Sequence, residues 1–304
     1  MNRPLILAVS IIISTATIAG AEKLVPPRRD MRTNPPGKII APGYYVSNAF
    51  KHETVTIECS DGYKMAGDSL KRVRLPGQDV PAILFLHEAG KSRRSWYPLT
   101  TQIAGRNYIV LAIDLRGCGE NPQLNGNLGK TLDKLPEAEL QIMLEDIRNA
   151  LSFLSMSSGV DPTNIGIIGS GLGANLAIAA AAEPWAANVK LVIALSPSLN
   201  DHGIKTEEAA RKIEKTTVRL AASRGDATSY QASATLFSLL PGQKYFFEGE
   251  GAASGVGLFG TKSAAPAKVN EESPILFALL PQWLYDGLMK KSPALPAARK
   301  TATH

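Results

Sequence analysis

Short runs of β-branched and aliphatic residues alternate with longer stretches of helical periodicity over most of this chain, from about Glu53 to Leu288. Parallel strands are buried on both faces, so they read as nearly continuous apolar runs, and a crossover, usually a helix, must separate one from the next. The alternation therefore predicts β-α units on a mostly parallel sheet. We expect an α/β fold with an eight-stranded sheet and helices on both faces.

The expected sheet opens with an antiparallel hairpin formed by residues 53–59 and 63–71. Six parallel strands are expected to follow, at residues 82–87, 108–114, 164–169, 189–196, 217–223 and 244–248. Helical patterns separate them, at residues 95–105, 138–155, 172–182, 230–240 and 273–288. Ligands in such sheets bind beyond the carboxyl ends of the strands, so the loops that follow the strands are where chemistry is expected.

The two ends of the chain have different patterns. Arg3 precedes an apolar run from residue 5 to residue 13, and the small residues 19–21 follow, which predicts a signal peptide at residues 1–21. The alternative is an uncleaved anchor, but the run is shorter than the ~20 residues that a membrane span needs. We expect a periplasmic or secreted protein with no stable membrane anchor. Five prolines predict an extended arm at residues 22–43, before a domain at residues 44–291 and a flexible tail at 292–304.

Charge and cysteine content exclude several classes of function. The formal charge of +6 falls to +5 without Arg3, and the basic residues are scattered, so no nucleic-acid partner is expected. Cys59 and Cys118 could pair in an oxidising compartment or remain two separate buried thiols. The carboxylates Glu88, Asp114 and Asp226 are too dispersed in sequence to form a metal site, and no metal or cofactor is expected.

Two segments carry a family resemblance. Residues 87–90 read HEAG after a predicted strand, and residues 114–119 read DLRGCG after the next one. This part of the chain resembles the α/β-hydrolase superfamily, particularly its dienelactone-hydrolase-like and small esterase members. The resemblance implies an oxyanion or cleft role for His87, Glu88 and Leu172, with backbone N–H groups as the donors. His87 is expected to hold its loop in place and not to act as the catalytic base.

Residues 161–175 are similar to the family's strand, nucleophile elbow and helix. The family motif G-x-S-x-G places a nucleophilic serine between two glycines on a sharp turn. When the glycines are aligned on Gly169 and Gly173, the nucleophile position falls on Gly171, which has no side chain. Ser170 is the fallback nucleophile, although a motif centred on it would need glycine at Ile168 and Leu172.

The other two members of the expected triad were sought after later strands. Residues 221–226 read AASRGD, and the resemblance places Asp226 at the acid position. Residues 248–254 read EGEGAAS, with Ala252 where the family carries histidine. Of the four histidines, His52, His87, His202 and His304, none lies between Asp226 and the last helix. Gly171, Asp226 and Ala252 are therefore interpreted as vestigial triad positions.

A competing interpretation uses the same glycines. Gly169-x-Gly171-x-x-Ala174 fits a dinucleotide-binding fingerprint, but the next strand ends in Ser-Pro-Ser without the acid that would bind a ribose. The preferred hypothesis is a pseudo-hydrolase that binds a small ester-like or acyl ligand, or a protein partner. The alternative is a weak carboxylic-ester hydrolase that uses Ser170 or a displaced base such as His202.

Overall fold

The computed structural model describes residues 37–41, 44–74, 77–120, 132–260 and 275–289. The expected signal peptide, most of the Pro-rich arm and the tail from residue 292 lie outside these ranges, as does His304. In chain order, the strands are β1 Gly37–Ala41, β2 Tyr44–Ser47, β3 Phe50–Glu58, β4 Lys64–Arg72, β5 Val80–Leu86, β6 Ile109–Ile113, β7 Val160–Ser170, β8 Val189–Leu195, β9 Asn200–Asp201, β10 Ile204–Lys205, β11 Thr217–Ser223 and β12 Lys244–Gly249.

The α-helices are α1 Tyr97–Ala104, α2 Glu137–Ser155, α3 Leu172–Ala181, α4 Glu207–Lys212, α5 Ala227–Leu239 and α6 Leu276–Leu284. A π-helical turn, Tyr285–Met289, continues α6. Short 3-10 helices lie at Arg93–Trp96, Leu132–Lys134, Pro184–Ala186 and Gly255–Gly260. None of the helices in the described ranges is both long enough and apolar enough to span a membrane.

Eight strands form the main sheet, in the order β12-β11-β8-β7-β5-β6-β4-β3. The first six strands in this order run parallel, and β4 and β3 continue the sheet antiparallel. The predicted fold class is confirmed, including the opening antiparallel hairpin. Strand order reverses around β5, so the carboxyl ends of β5 and β7 face the point where such sheets hold ligands.

Two apolar layers cover the sheet, one on each face. Helices α2, α3 and α5 contribute to one buried cluster, and α1 and α6 to the other. Strand β5 is buried along its whole length and supplies alternate residues to the two layers, Leu84 to the first and Phe85 to the second. This two-sided burial is why its sequence is a continuous apolar run.

Several elements were not predicted. The strand Gly37–Ala41 pairs with Tyr44–Ser47, so the end of the expected extended arm is half of a hairpin. A second small hairpin, β9 and β10, and helix α4 lie between β8 and β11. Strands of two residues and a helix of six carry too little periodicity to be recognised in a sequence. Cys59 and Cys118 are both buried and both free.

Candidate active-site cleft

The turn between β7 and α3 has the backbone of a nucleophile elbow. Strand β7 ends at Ser170, helix α3 begins at Leu172, and Gly171 between them has φ 54° and ψ −119°. Its N–H donates to Leu195 O at 3.0 Å, and its carbonyl accepts the N–H groups of Ala174 and Asn175 at 2.9 and 3.1 Å. The chain therefore reverses within one residue and presents Gly171 at its tip.

The flanking glycines are required by close backbone contacts. A β-carbon on Gly169 would collide with the carbonyl oxygen of Gly173, and one on Gly173 would collide with the carbonyl oxygen of Leu86. At Gly171 the situation differs, since the nearest atom to an added β-carbon is Cγ of Glu88, at 3.2 Å. The G-x-G-x-G pattern is thus explained by packing at its two ends, while the central position faces a side chain.

Glu88 lies across the position that a nucleophile would occupy. Its Oε1 accepts the Ser170 hydroxyl at 2.7 Å and the Val256 N–H at 3.3 Å. The backbone of Gly255 runs so close to this oxygen that a β-carbon there would overlap it. Glu88 therefore joins the loop after β5, the end of β7 and the 3-10 helix after β12.

A cleft of about 270 Å³ opens at this point. The residues that line it include Glu88, Gly171, Leu172, Asp201, Asp226 and Ser254. The first N–H groups of a helix have no acceptor within the helix, so the Leu172 N–H is placed as a donor beside the cleft. Ser170, the fallback nucleophile, is fully buried and does not line the cleft.

His87 is also fully buried and does not line the cleft, unlike Glu88 and Leu172 of the same predicted set. Its Nε2 accepts the Leu115 N–H at 2.9 Å, and its Nδ1 lies 2.6 Å from Glu88 O. An acceptor role for Nε2 leaves the proton on Nδ1, which then donates to Glu88 O. Burial lowers the pKa of His87 more than its neighbours raise it, so the ring is neutral. Through its contact with the Leu115 N–H, the ring joins the loop after β5 to the loop after β6.

The loops that carry Asp226 and Ala252 contact each other through their neighbouring residues. Asp226 caps helix α5, where its side chain accepts the Ser229 N–H at 3.3 Å, and it lines the cleft. The Gly225 N–H donates to Gly251 O at 2.7 Å, which holds the loop after β12 against the loop after β11. Ala252 is exposed and does not line the cleft, whereas Ser254 does.

His202, the candidate displaced base, follows the short strand β9 and has φ 49°. Its Nδ1 lies 2.5 Å from Asp201 Oδ1, and its Nε2 lies 3.7 Å from Asp133 Oδ1. The ring does not line the cleft, although Asp201 does. His52 is on β3, beside Asp68 at 3.5 Å, and also does not line the cleft.

Two buried arginines hold the loops around the cleft. Arg93, in the loop after β5, pairs with Asp68 at 2.7 Å, with Glu120 at 2.8 Å and with Asp114. Burial disfavours its charge, but these three carboxylates outweigh that effect and raise the pKa of Arg93. The loops after β5 and β6 are thereby fixed to each other and to β4.

The second arginine lies in the turn that the sequence reads as DLRGCG. Arg116 binds Asp146 of α2 through two hydrogen bonds, at 2.8 and 2.7 Å, and lies 2.9 Å from Asp61. Its guanidinium also stacks on the ring of Tyr63, 4.1 Å from the centroid. A bidentate pair with stacking fixes the arginine's orientation, so this turn is held on α2 and on the opening hairpin.

The dinucleotide interpretation of the elbow has weak physical support. Strand β8 leads into Ser196, Pro197 and Ser198, without an acid for a ribose. The carboxylate of Glu88 also lies at the elbow, where a pyrophosphate would need positive or neutral surroundings. Among the described residues, no group of three or more His, Cys, Asp and Glu side chains could hold a metal ion.

A parallel sheet with an antiparallel edge, a strand-elbow-helix turn and a cleft above it define a protein with a hydrolase fold. Residues 83–300 match the model of the Alpha/beta hydrolase family. Since this match covers more than half of the chain, the chain belongs to that family, and the resemblance expected from the sequence is confirmed. No curated protein sequence matches the chain.

Solved structures with the same fold include named ester hydrolases. The acetyl xylan esterase of Paenibacillus sp. R4 is 16% identical, with a TM-score of 0.59 over 79% of this chain and 85% of that one. The dienelactone hydrolase of Anabaena variabilis is 16% identical, with a TM-score of 0.57 over 79% and 99%. Acetyl xylan esterase 1 of Thermoanaerobacterium sp. is 14% identical, with a TM-score of 0.57 over 79% and 88%. At these identities the likeness establishes a shared fold.

The sequence did not predict that Glu88 would lie at the tip of the elbow. The family resemblance assigned Glu88 to the oxyanion loop or cleft, but no sequence pattern relates residue 88 to residues 170 and 256. The sequence did offer one clue to the position of Glu88. An acidic residue that closely follows a buried strand must lie near the carboxyl edge of the sheet. The direction of the side chain depends on contacts that are distant in sequence.

Proposed function

We propose that this chain binds a small ester- or acyl-bearing molecule in the cleft and forms no covalent acyl-enzyme there. The observation that carries this proposal is the intact elbow backbone with Gly171 at its tip, since glycine has no atom that could attack a carbonyl. Loss of a triad nucleophile or base lowers turnover by about 10⁶, and ~10³–10⁴ over water then remains from binding and backbone donors. With respect to Ser-His chemistry, the chain is therefore a pseudo-hydrolase.

Binding is tested by closing the cleft with a side chain whose effect on the fold is small. Ser229 is half-buried in the first turn of α5 and lines the cleft, so Ser229→Trp should fill it. Ser238 is exposed near the other end of the same helix, and Ser238→Trp is the matched control. We expect 4-fluorophenyl acetate to bind to the native chain and the control, but not to Ser229→Trp, as measured by fluorine NMR. Equal binding by all three proteins would refute the proposal.

The absence of an acyl-enzyme has its own test. A fluorophosphonate reagent modifies serine nucleophiles, so we expect no label on the native chain by intact-protein mass spectrometry. Ser170 is the residue to inspect, because it is the fallback nucleophile and directly precedes the elbow tip. Stoichiometric labelling of Ser170 would replace the binding proposal by that alternative.

The second candidate function is hydrolysis of a carboxylic ester without the family's triad. It is favoured by family membership and by the ester hydrolases among the structural neighbours. Saturable turnover of p-nitrophenyl acetate by the purified chain would establish it. Ser170→Ala with unchanged turnover would then remove Ser170 as the nucleophile.

We also propose that the chain is exported after cleavage behind Ala21, on the strength of the residue pattern before it. Expression in a bacterial host, followed by fractionation and N-terminal sequencing, tests this. We expect a periplasmic or extracellular product that begins at Glu22. A product that keeps its first residues and stays in the cytoplasm would contradict export.

A further inference from the structure

The two oxygens of the Glu88 carboxylate have different surroundings. Oε1 accepts two hydrogen bonds, from the Ser170 hydroxyl at 2.7 Å and from the Val256 N–H at 3.3 Å. No donor in the described part of the chain bonds to Oε2. Oε2 is also not among the buried polar atoms that lack a hydrogen-bond partner. Since Glu88 lines the cleft, one oxygen anchors the carboxylate and the other remains available to a ligand or water.

The Glu88 side chain lies directly against Gly171, the tip of the elbow. A β-carbon on Gly171 would be 3.2 Å from Glu88 Cγ and 3.5 Å from its Cβ. The Glu88 side chain therefore crowds the elbow tip, and both Glu88 and Gly171 line the cleft. Leu172, whose N–H belongs to the first turn of α3, lies on the same side.

We propose that Glu88 is a catalytic residue, the general base for a water molecule held in the cleft beside its carboxylate and the elbow tip. The proposal rests on the proposed function, because it requires that the cleft accept an ester. It adds that hydrolysis proceeds slowly and in one step, by direct attack of water. Carboxylates act as general bases when they are within reach of the proton they remove.

The step balances without any further reactant. As the water oxygen bonds to the ester carbonyl carbon, one water proton passes to Glu88 Oε2 and the carbonyl π electrons move to the carbonyl oxygen. Backbone N–H groups at the elbow stabilise that oxyanion. When the carbonyl re-forms, the bond to the leaving oxygen breaks, and an alkoxide leaving group takes the proton back from Glu88. The products are an acid and an alcohol, and Glu88 is again ionised.

The other titratable groups near the cleft are less well placed. The Asp226 carboxylate caps α5 through the Ser229 N–H, and His202 is bound between two aspartates and does not line the cleft. Ser170 is buried, and its hydroxyl is already a donor to Glu88. Glu88 alone among these contacts the elbow tip directly.

Glu88→Gln is the decisive variant, because glutamine keeps the length of the side chain and an oxygen that can still accept from Ser170. We expect the kcat/KM for p-nitrophenyl acetate to fall at least about 100-fold while binding of 4-fluorophenyl acetate is unchanged. The matched control is Glu145→Gln, an exposed glutamate of α2 with an ion pair to Arg148, which should keep native turnover. Mass spectra of the quenched native enzyme should show no acyl adduct.

A second variant tests the proposal if Glu88→Gln does not fold. Glu88→Ala removes the carboxylate, and added formate should restore part of its turnover by taking the vacated place, which a purely structural role would not allow. Native turnover in Glu88→Gln, or an acyl adduct on Ser170 or on Glu88 itself, would overturn the proposal. Binding without turnover above the chemical blank would also overturn it, but would leave the proposed function intact. Absence of ester binding would refute the proposed function.

Discussion

The β-carbon that Gly171 lacks would lie 3.2 Å from Cγ of Glu88. This distance is short for two carbon atoms, so a serine at the elbow and the present position of the Glu88 side chain are poorly compatible. The carboxylate is held there by donors from two other segments, Ser170 and Val256. Glycine at residue 171 and the present position of the Glu88 side chain therefore depend on each other, and we expect a change of only one of them to give little esterase activity.

The first prediction concerns restoration of the triad. Gly171→Ser with Glu88→Ala supplies a hydroxyl and removes the side chain that crowds it, and a histidine must then reach it from the loop after β12. Ser254 lines the cleft with Asp226, whereas Ala252 is exposed and does not line it. We expect Gly171→Ser/Glu88→Ala/Ser254→His to hydrolyse p-nitrophenyl acetate through an acyl-enzyme, and the corresponding Ala252→His variant to do so more slowly. Burst kinetics and fluorophosphonate labelling measure both.

The matched control for this experiment carries Gly171→Ala in place of Gly171→Ser. It has the same added β-carbon and the same histidine but no hydroxyl, so it should show no burst and no label. If both histidine variants equal this control, the cleft has changed in more than the triad positions, and the geometry inferred for Asp226 would be wrong.

The second prediction concerns backbone strain at the elbow. Gly171 has φ 54° and ψ −119°, a conformation that residues with side chains rarely adopt. We expect Gly171→Ala to lower the free energy of unfolding by about 1–3 kcal/mol for the backbone, with an added cost from the contact with Glu88. Urea denaturation of the single variants and of Glu88→Ala/Gly171→Ala separates the two contributions in a double-mutant cycle.

Gly62 provides the comparison for this cycle. It has φ 83° in the turn between β3 and β4, and an added β-carbon there would have no atom within 4 Å. Gly62→Ala should therefore show the cost of a positive φ alone, about 1–2 kcal/mol. A coupling energy near zero between residues 88 and 171 would mean that the Glu88 side chain moves aside freely.

The fold was predictable because its signal is local. Each buried strand, such as Val80–Leu86, is a continuous apolar run, and each long helix, such as Glu137–Ser155, has its own periodicity. The glycines at residues 169 and 173 were predictable for the same reason, since backbone packing at the elbow excludes any side chain there. Local chemistry and family resemblance agreed at these positions.

The arrangement within the cleft was not predictable, because it depends on contacts between distant segments. Ser170 and Val256 are 82 and 168 residues from Glu88 along the chain. The sequence motif placed the vestigial histidine position at Ala252, yet the residue of that loop that reaches the cleft is Ser254.

The third prediction concerns the two thiols. Burial, followed by the neighbouring Asp146, raises the pKa of the Cys59 thiol to about 12, and burial also raises the pKa of Cys118. Since the thiolate is the reactive species, neither cysteine should react with Ellman's reagent in the native protein. Both should react fully in guanidinium chloride without a reductant. If no thiol reacts in the denatured protein, the two cysteines are joined in a disulfide and the prediction is wrong.

The last prediction concerns the pH dependence of stability. Asp68 is buried, which by itself would raise its pKa, but the nearby His52 ring and hydrogen bonds from Tyr97 and Arg93 outweigh burial and hold the pKa well below its ordinary value. The Asp68 carboxyl therefore binds its proton at a higher pH in the unfolded chain than in the folded chain. Its pKa in the unfolded chain is about 4. The stability due to Asp68 is therefore complete above about pH 4 and is lost as the pH falls below it.

Asp68→Asn should therefore lower the free energy of unfolding by roughly 1.5–3 kcal/mol at pH 7, as expected for loss of hydrogen bonds to a charged group. Below about pH 4 the difference from the native chain should shrink, because the Asp68 carboxyl of the unfolded chain then binds a proton, which favours unfolding of the native chain and not of the variant. Asp79→Asn, at an exposed position before β5, is the matched control and should leave the pH profile unchanged. Urea midpoints between about pH 2 and 7 measure all three proteins. A difference that stays constant down to pH 2 would mean that Asp68 stabilises the fold by packing and not by its charge.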